Sequence, residues 1–61
     1  MANITVVKIS GPPGGHKTRI AELIRKWAAI ELHEEVYIVD GNITSGNKFI
    51  AKIHVITEQT H

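Results

Sequence analysis

The chain contains no cysteine in its 61 residues. It therefore has no disulfide to staple a small core and no thiolate to hold zinc, and the lack suits a cytoplasmic protein. Neither sign of charge dominates. Seven Lys and Arg stand against six Asp and Glu, a net +1 with histidines neutral. That balance is too small to draw in nucleic acid or an anionic membrane from a distance. No apolar run approaches the roughly 18 residues of a membrane span, and no basic leader with an apolar stretch marks a signal peptide. Repeats, linkers and low-complexity stretches are missing too.

The four histidines, His16, His33, His54 and His61, show no i,i+3 or i,i+4 pairing, so no zinc cluster is expected. With 43% apolar residues the composition is that of a globular protein. A chain near 60 residues buries only about 60% of its unfolded surface. Stability must come from a helix on a small sheet, or from self-association. One domain over residues 1–61 is the expectation.

The informative stretch is Ile9-Ser10-Gly11-Pro12-Pro13-Gly14-Gly15-His16-Lys17-Thr18. Before it, Ile4 to Ile9 is apolar and β-branched except at Thr5 and Lys8, a pattern for a strand buried on both faces. After it, Ile20, Leu23, Ile24, Trp27 and Ala28 fall at helical spacing, with Arg19, Glu22, Arg25 and Lys26 on the other side. Glu22 and Lys26 are spaced for an i,i+4 ion pair. A glycine-rich turn between a strand and a helix is suited to anions. Its backbone N–H groups converge, and the helix start adds unpaired N–H groups and the positive end of the dipole.

With one exception this stretch fits G-x-x-x-x-G-K-[ST], and the chain resembles the P-loop NTPases, particularly those whose loop reads G-P-P-G-x-G-K-T. The resemblance runs from Ile4 to Thr57. Val36-Tyr37-Ile38-Val39-Asp40 is similar to a Walker B strand, and Ile53-His54-Val55-Ile56-Thr57 to the later strand ending in a polar sensor, here Thr57. It implies a phosphate site at Gly11, Gly14, Gly15, His16, Lys17 and Thr18. Lys17 would meet the β- and γ-phosphates, and Thr18 and Asp40 would serve Mg²⁺, with ATP or GTP as the ligand. Asp40-Gly41 also reads as a hairpin turn with no metal role.

His16 stands where the pattern has glycine. A Cβ there crowds a phosphate or forces an unfavourable backbone angle, so weakened binding and still weaker hydrolysis are expected. Gly15, one position early, partly compensates if the loop shifts. Gly41 follows Asp40 where a catalytic glutamate would stand, and no arginine finger can be assigned. The function expected is phosphate or nucleotide binding with little or no hydrolysis. The alternative is a non-enzymatic interaction or regulatory module that keeps the strand–loop–helix as a scaffold.

The expected fold is a minimal β-α-β-β domain of the α/β class, one helix on a three-stranded mixed sheet. Strand one covers about Asn3 to Ile9, the helix His16 to Leu32, strand two Val36 to Asp40 and strand three Lys48 to Thr57. Strands one and two should run parallel, and the last two strands should form an antiparallel hairpin, because 41–52 looks too short for a crossover. Glu58 to His61 should fray. Trp27 is expected in the core; if exposed, it becomes the first candidate for a protein contact. A homodimer or strand addition is expected if the run Lys48 to Thr57 lies at a sheet edge. Nucleic-acid contact through Arg19, Arg25 and Lys26 ranks last, since such faces are usually just solvated. Gly11-Pro12-Pro13-Gly14 follows a strand, unlike the loop of the KH module. Asn42-Ile43-Thr44 is a sequon without a secretory context.

Overall fold

The computed structural model describes residues 3–60. His61 lies outside the described residues. The fold is a small α/β domain with one helix on a mixed sheet. The sheet has four strands rather than three: β1 (Thr5–Gly11), β2 (Val36–Asp40), β3 (Ile43–Ser45) and β4 (Ile53–Gln59). Their order across the sheet is β1-β4-β2-β3.

The helix α1 (Lys17–Trp27) continues as a wider π-helical turn over Ala28–Leu32. It ends where His33 turns left-handed at φ 54°. Ala21, Ala28 and Ile24 face the sheet and meet Val7, Ile9, Val36, Ile38, Ile53 and Val55. Val55 is completely buried. It lies level with Val7 of β1 and Ile38 of β2, at the centre of the covered face.

The topology corrects the expected hairpin. β4 runs parallel to both β1 and β2 and separates them. The antiparallel hairpin joins β2 to the short β3 instead, with Asp40 opposite Ile43. Gly41, the first of the two turn residues, has φ 63°, the positive angle that short hairpins of the primed type require. The crossover fits in 41–52 because no full helix is needed. β3 carries the chain back along the sheet, and a single turn closed by Ala51 N–H to Asn47 C=O (3.0 Å) delivers it to β4. Lys48 to Lys52 is therefore turn, not strand.

Four local expectations also change. Glu58 and Gln59 belong to β4, and Thr60 N–H donates to Gly11 C=O at 2.8 Å, so this end is tied to β1. Glu22 pairs with Arg25 at 3.5 Å rather than with Lys26, because Arg25 is turned toward β3, where it bonds the Ser45 hydroxyl. Trp27 is outside the core and half exposed. Ala21, Ala28 and Ile24 take the helix–sheet contact instead. The run Lys48 to Thr57 does not form an edge; among the described residues the edges are β1 and β3.

Candidate functional site

β1 delivers the chain to the glycine loop at one end of the sheet. Pro12 to Gly15 form a tight turn, closed by Gly15 N–H to Pro12 C=O at 3.0 Å. Pro13 takes the position where its fixed φ is an advantage, and Gly14 takes the next with φ 79°, the arrangement of a type II turn. A Cβ on Gly15 would stand 3.0 Å from the Pro12 carbonyl oxygen. Gly15 thus permits the turn itself and does not substitute for a glycine at the next position.

His16 has φ 62° and ψ 27° and caps α1 from a left-handed conformation. This explains the glycine of the pattern: the backbone here needs a positive φ, which histidine tolerates better than most residues and glycine adopts freely. The His16 carbonyl accepts the Ile20 N–H at 3.0 Å and starts the helix. The N–H groups of Lys17, Thr18 and Arg19 come before that bond and have no carbonyl one turn back inside the helix. They open toward the end of the sheet where Asp40 sits.

Lys17 folds back over Gly11, its Cγ 3.7 Å from where a glycine Cβ would lie, and its Nζ donates to Pro12 C=O at 2.9 Å. Thr18 Oγ1 donates to Asp40 Oδ2 at 2.6 Å. Thr57 Oγ1 donates to Asp40 Oδ1 at 2.7 Å, with Val39 C=O a more distant acceptor at 3.5 Å. Asp40 and Thr57 are level across β2 and β4, so the sheet register makes this contact. The two hydroxyls, Thr18 first, hold the Asp40 carboxyl below its usual range, and the Lys17 charge helps. Partial burial opposes them more weakly.

These groups line an open cleft of about 610 Å³ bounded by the loop Pro13–Gly15, His16, Lys17, Thr18, Arg19, Asp40 and Gln59. The expected site residues Gly14, Gly15, His16, Lys17, Thr18 and Asp40 all meet there. Gly11 stays behind, in β1 beneath the Lys17 stem. Arg19 and Gln59 were not expected. Arg19 reads from sequence as one more solvated helix charge, and Gln59 as part of a loose end. Only the pairing of Gln59 with Gly11 brings it to the cleft.

The described residues hold no group of three or more His, Cys, Asp or Glu side chains able to bind a metal. The oxygens of Thr18 and Asp40 suit a hard cation such as Mg²⁺, which commonly takes one or two protein oxygens and completes its shell with water and substrate phosphates. Comparison of the chain with protein-family models, with curated proteins and with solved structures finds no match. No helix is long and apolar enough to cross a membrane among the described residues.

Proposed function

We propose that the chain is a reduced P-loop-type module that binds a phosphate group, most fittingly on a Mg²⁺-nucleotide such as ATP or GTP, with little or no turnover. The observation that carries this reading is the joining of Thr18 to Asp40 beside the glycine loop. A glycine turn on its own needs no carboxylate opposite the helix start. Here a hydroxyl and a carboxylate from separate elements meet where a phosphate-bound cation would need them.

Lys17 supplies the counter-charge. In exchanging the Pro12 carbonyl for a phosphate oxygen it trades a neutral acceptor for a charged one, and charge-assisted bonds are roughly twice as strong. The first N–H groups of α1 and the helix dipole add to the attraction. Thr18 and Asp40 would hold Mg²⁺, which when bound shields the phosphate charge. Hydrolysis finds little support. The one carboxylate of the cleft already holds two hydroxyls, and His16 sets a side chain where the pattern leaves room. A cytoplasmic setting, where Mg²⁺-nucleotides abound, matches this reading and the lack of cysteine.

Equilibrium dialysis with Mg²⁺-ATP and with inorganic phosphate tests the proposal on the wild type and on Lys17→Ala. Binding by the wild type and its loss in a folded Lys17→Ala variant are expected. Equal binding by both would remove the loop as the site.

A further inference from the structure

Two cations border the cleft, and they reach it from different sides. Lys17 and Arg19 both line it. Two positions along a helix is a rotation of about 200°, so side chains at that spacing do not face each other. Lys17 folds back over Gly11 and rests its Nζ on the Pro12 carbonyl. Arg19 stands on the outward flank, where it also borders a second hollow with Leu23 and Lys26.

The two charges differ in what answers them. Lys17 acts on Asp40 and helps to hold its carboxyl low, so part of the lysine charge is already met. Arg19 has no such partner. Among the described residues the ion pairs are Lys8 with Glu58, Arg25 with Glu22 and Lys52 with Glu34. Glu22 is spaced at i,i+3 to pair with Arg19 but is drawn to Arg25, which is held from its other side by the bond to Ser45. An exposed guanidinium is left at the cleft. Arginine is always charged, and its planar fork matches a pair of phosphate oxygens.

A single phosphate on Lys17 would leave Arg19 unanswered on the far side of the helix start. A chain of linked phosphates reaches both. We propose that the cleft takes a phosphoanhydride chain as its ligand class, with Lys17 on one phosphate and Arg19 on the next. Inorganic pyrophosphate and tripolyphosphate then bind in their own right, and a nucleotide binds by its chain, the nucleoside adding little. The lining fits that division. His16, Thr18, Asp40 and Gln59 offer polar atoms beside the two cations, and Pro13 is the one apolar side chain among them. Gln59, brought in by its register with Gly11, adds an uncharged donor for the same oxygens. This inference rests on the phosphate reading and narrows its ligand.

Calorimetric titrations with orthophosphate, pyrophosphate, tripolyphosphate and ATP test it. Mg²⁺ is kept in excess throughout, because the bare Asp40 carboxylate would repel the chain. Pyrophosphate should bind about tenfold or more tighter than orthophosphate, the worth of one charge-assisted bond. Tripolyphosphate should bind within about threefold of ATP. Arg19→Gln should remove the advantage of pyrophosphate and leave orthophosphate binding in place. Arg19→Lys, which restores the charge without the fork, should recover part of it. Lys26→Gln takes the same charge from the same flank, one hollow further on, and should change none of the four affinities. Three results overturn the proposal while leaving the phosphate site standing: no selective loss in Arg19→Gln, an equal loss in Lys26→Gln, or ATP binding more than about tenfold tighter than tripolyphosphate. Binding of none of the four ligands removes the site and this proposal together.

Discussion

Thr18 and Asp40, 22 positions apart in the chain, share a hydrogen bond of 2.6 Å at the end of the sheet. It joins the first turn of the helix to the end of β2 and so fixes the helix start against the sheet. Thr57 completes the arrangement from β4, leaving one carboxylate held by hydroxyls from two elements. Geometry of this kind gives the glycine loop a fixed opposite wall.

The acid limb of stability should report on Asp40. Its carboxyl is held below the ordinary value of 3.8, chiefly by Thr18 and then Thr57. A lowered folded-state pKa means that the contribution is in place above the unfolded value and is lost as pH falls through the folded one. Thermal melts between neutral pH and pH values below the carboxylate range should show that loss in the wild type and a flatter profile in Asp40→Asn. Identical profiles would mean the two hydroxyl bonds contribute nothing in solution.

Replacing His16 by glycine should improve binding at little cost to the fold. The left-handed backbone costs a non-glycine residue about 1–2 kcal/mol. Glycine removes that strain but brings back about 0.5–1 kcal/mol of chain entropy, so stability should rise by about 1 kcal/mol or stay level. Phosphate affinity should increase, since no side chain then stands at the loop. Denaturant melts and a phosphate titration of His16→Gly check both; weaker binding would show that the imidazole itself contacts the anion.

Gly46 is the glycine whose replacement should harm the fold most. Its φ is 98°, and an added Cβ would lie 2.5 Å from the Val36 carbonyl oxygen, at the start of β2. Gly46→Ala should cost about 2 kcal/mol or more, through strain and displacement of the β3 exit. Gly14→Ala meets open space and suffers only the φ penalty, so its melting temperature should fall less. The reverse order would contradict the packing described at β3.

The legible part of this chain was what depends on local chemistry. The β-branched run, the glycine-proline turn, the helical spacing after Lys17 and the Val36–Asp40 strand all stand close to where their residues place them. The order of strands was not legible. Nothing local in Ile53–Gln59 says that it slips between β1 and β2, and the turn-rich segment 41–52 hides both a short strand and a helical turn. Trp27 misled for a related reason. Helical periodicity places it beside Ile24 and Ala28, but Ala21, Ala28 and Ile24 take the face toward the sheet and the indole is left on the flank. Gln59 was missed because its position depends on pairing with Gly11, a contact between the far ends of β1 and β4 that no local signal shows.

A working phosphate site at the loop must show itself in the loop's own amides. An amide NMR titration of labelled protein with Mg²⁺-ATP, then with inorganic phosphate, tests it most directly. Saturable shifts are expected at Gly14 to Arg19 and at Asp40 and Thr57, with those at Asp40 and Thr57 dependent on Mg²⁺ and all of them lost in Lys17→Ala. A spectrum unmoved by millimolar ligand, from a protein whose Thr18–Asp40 contact is intact, would contradict the account.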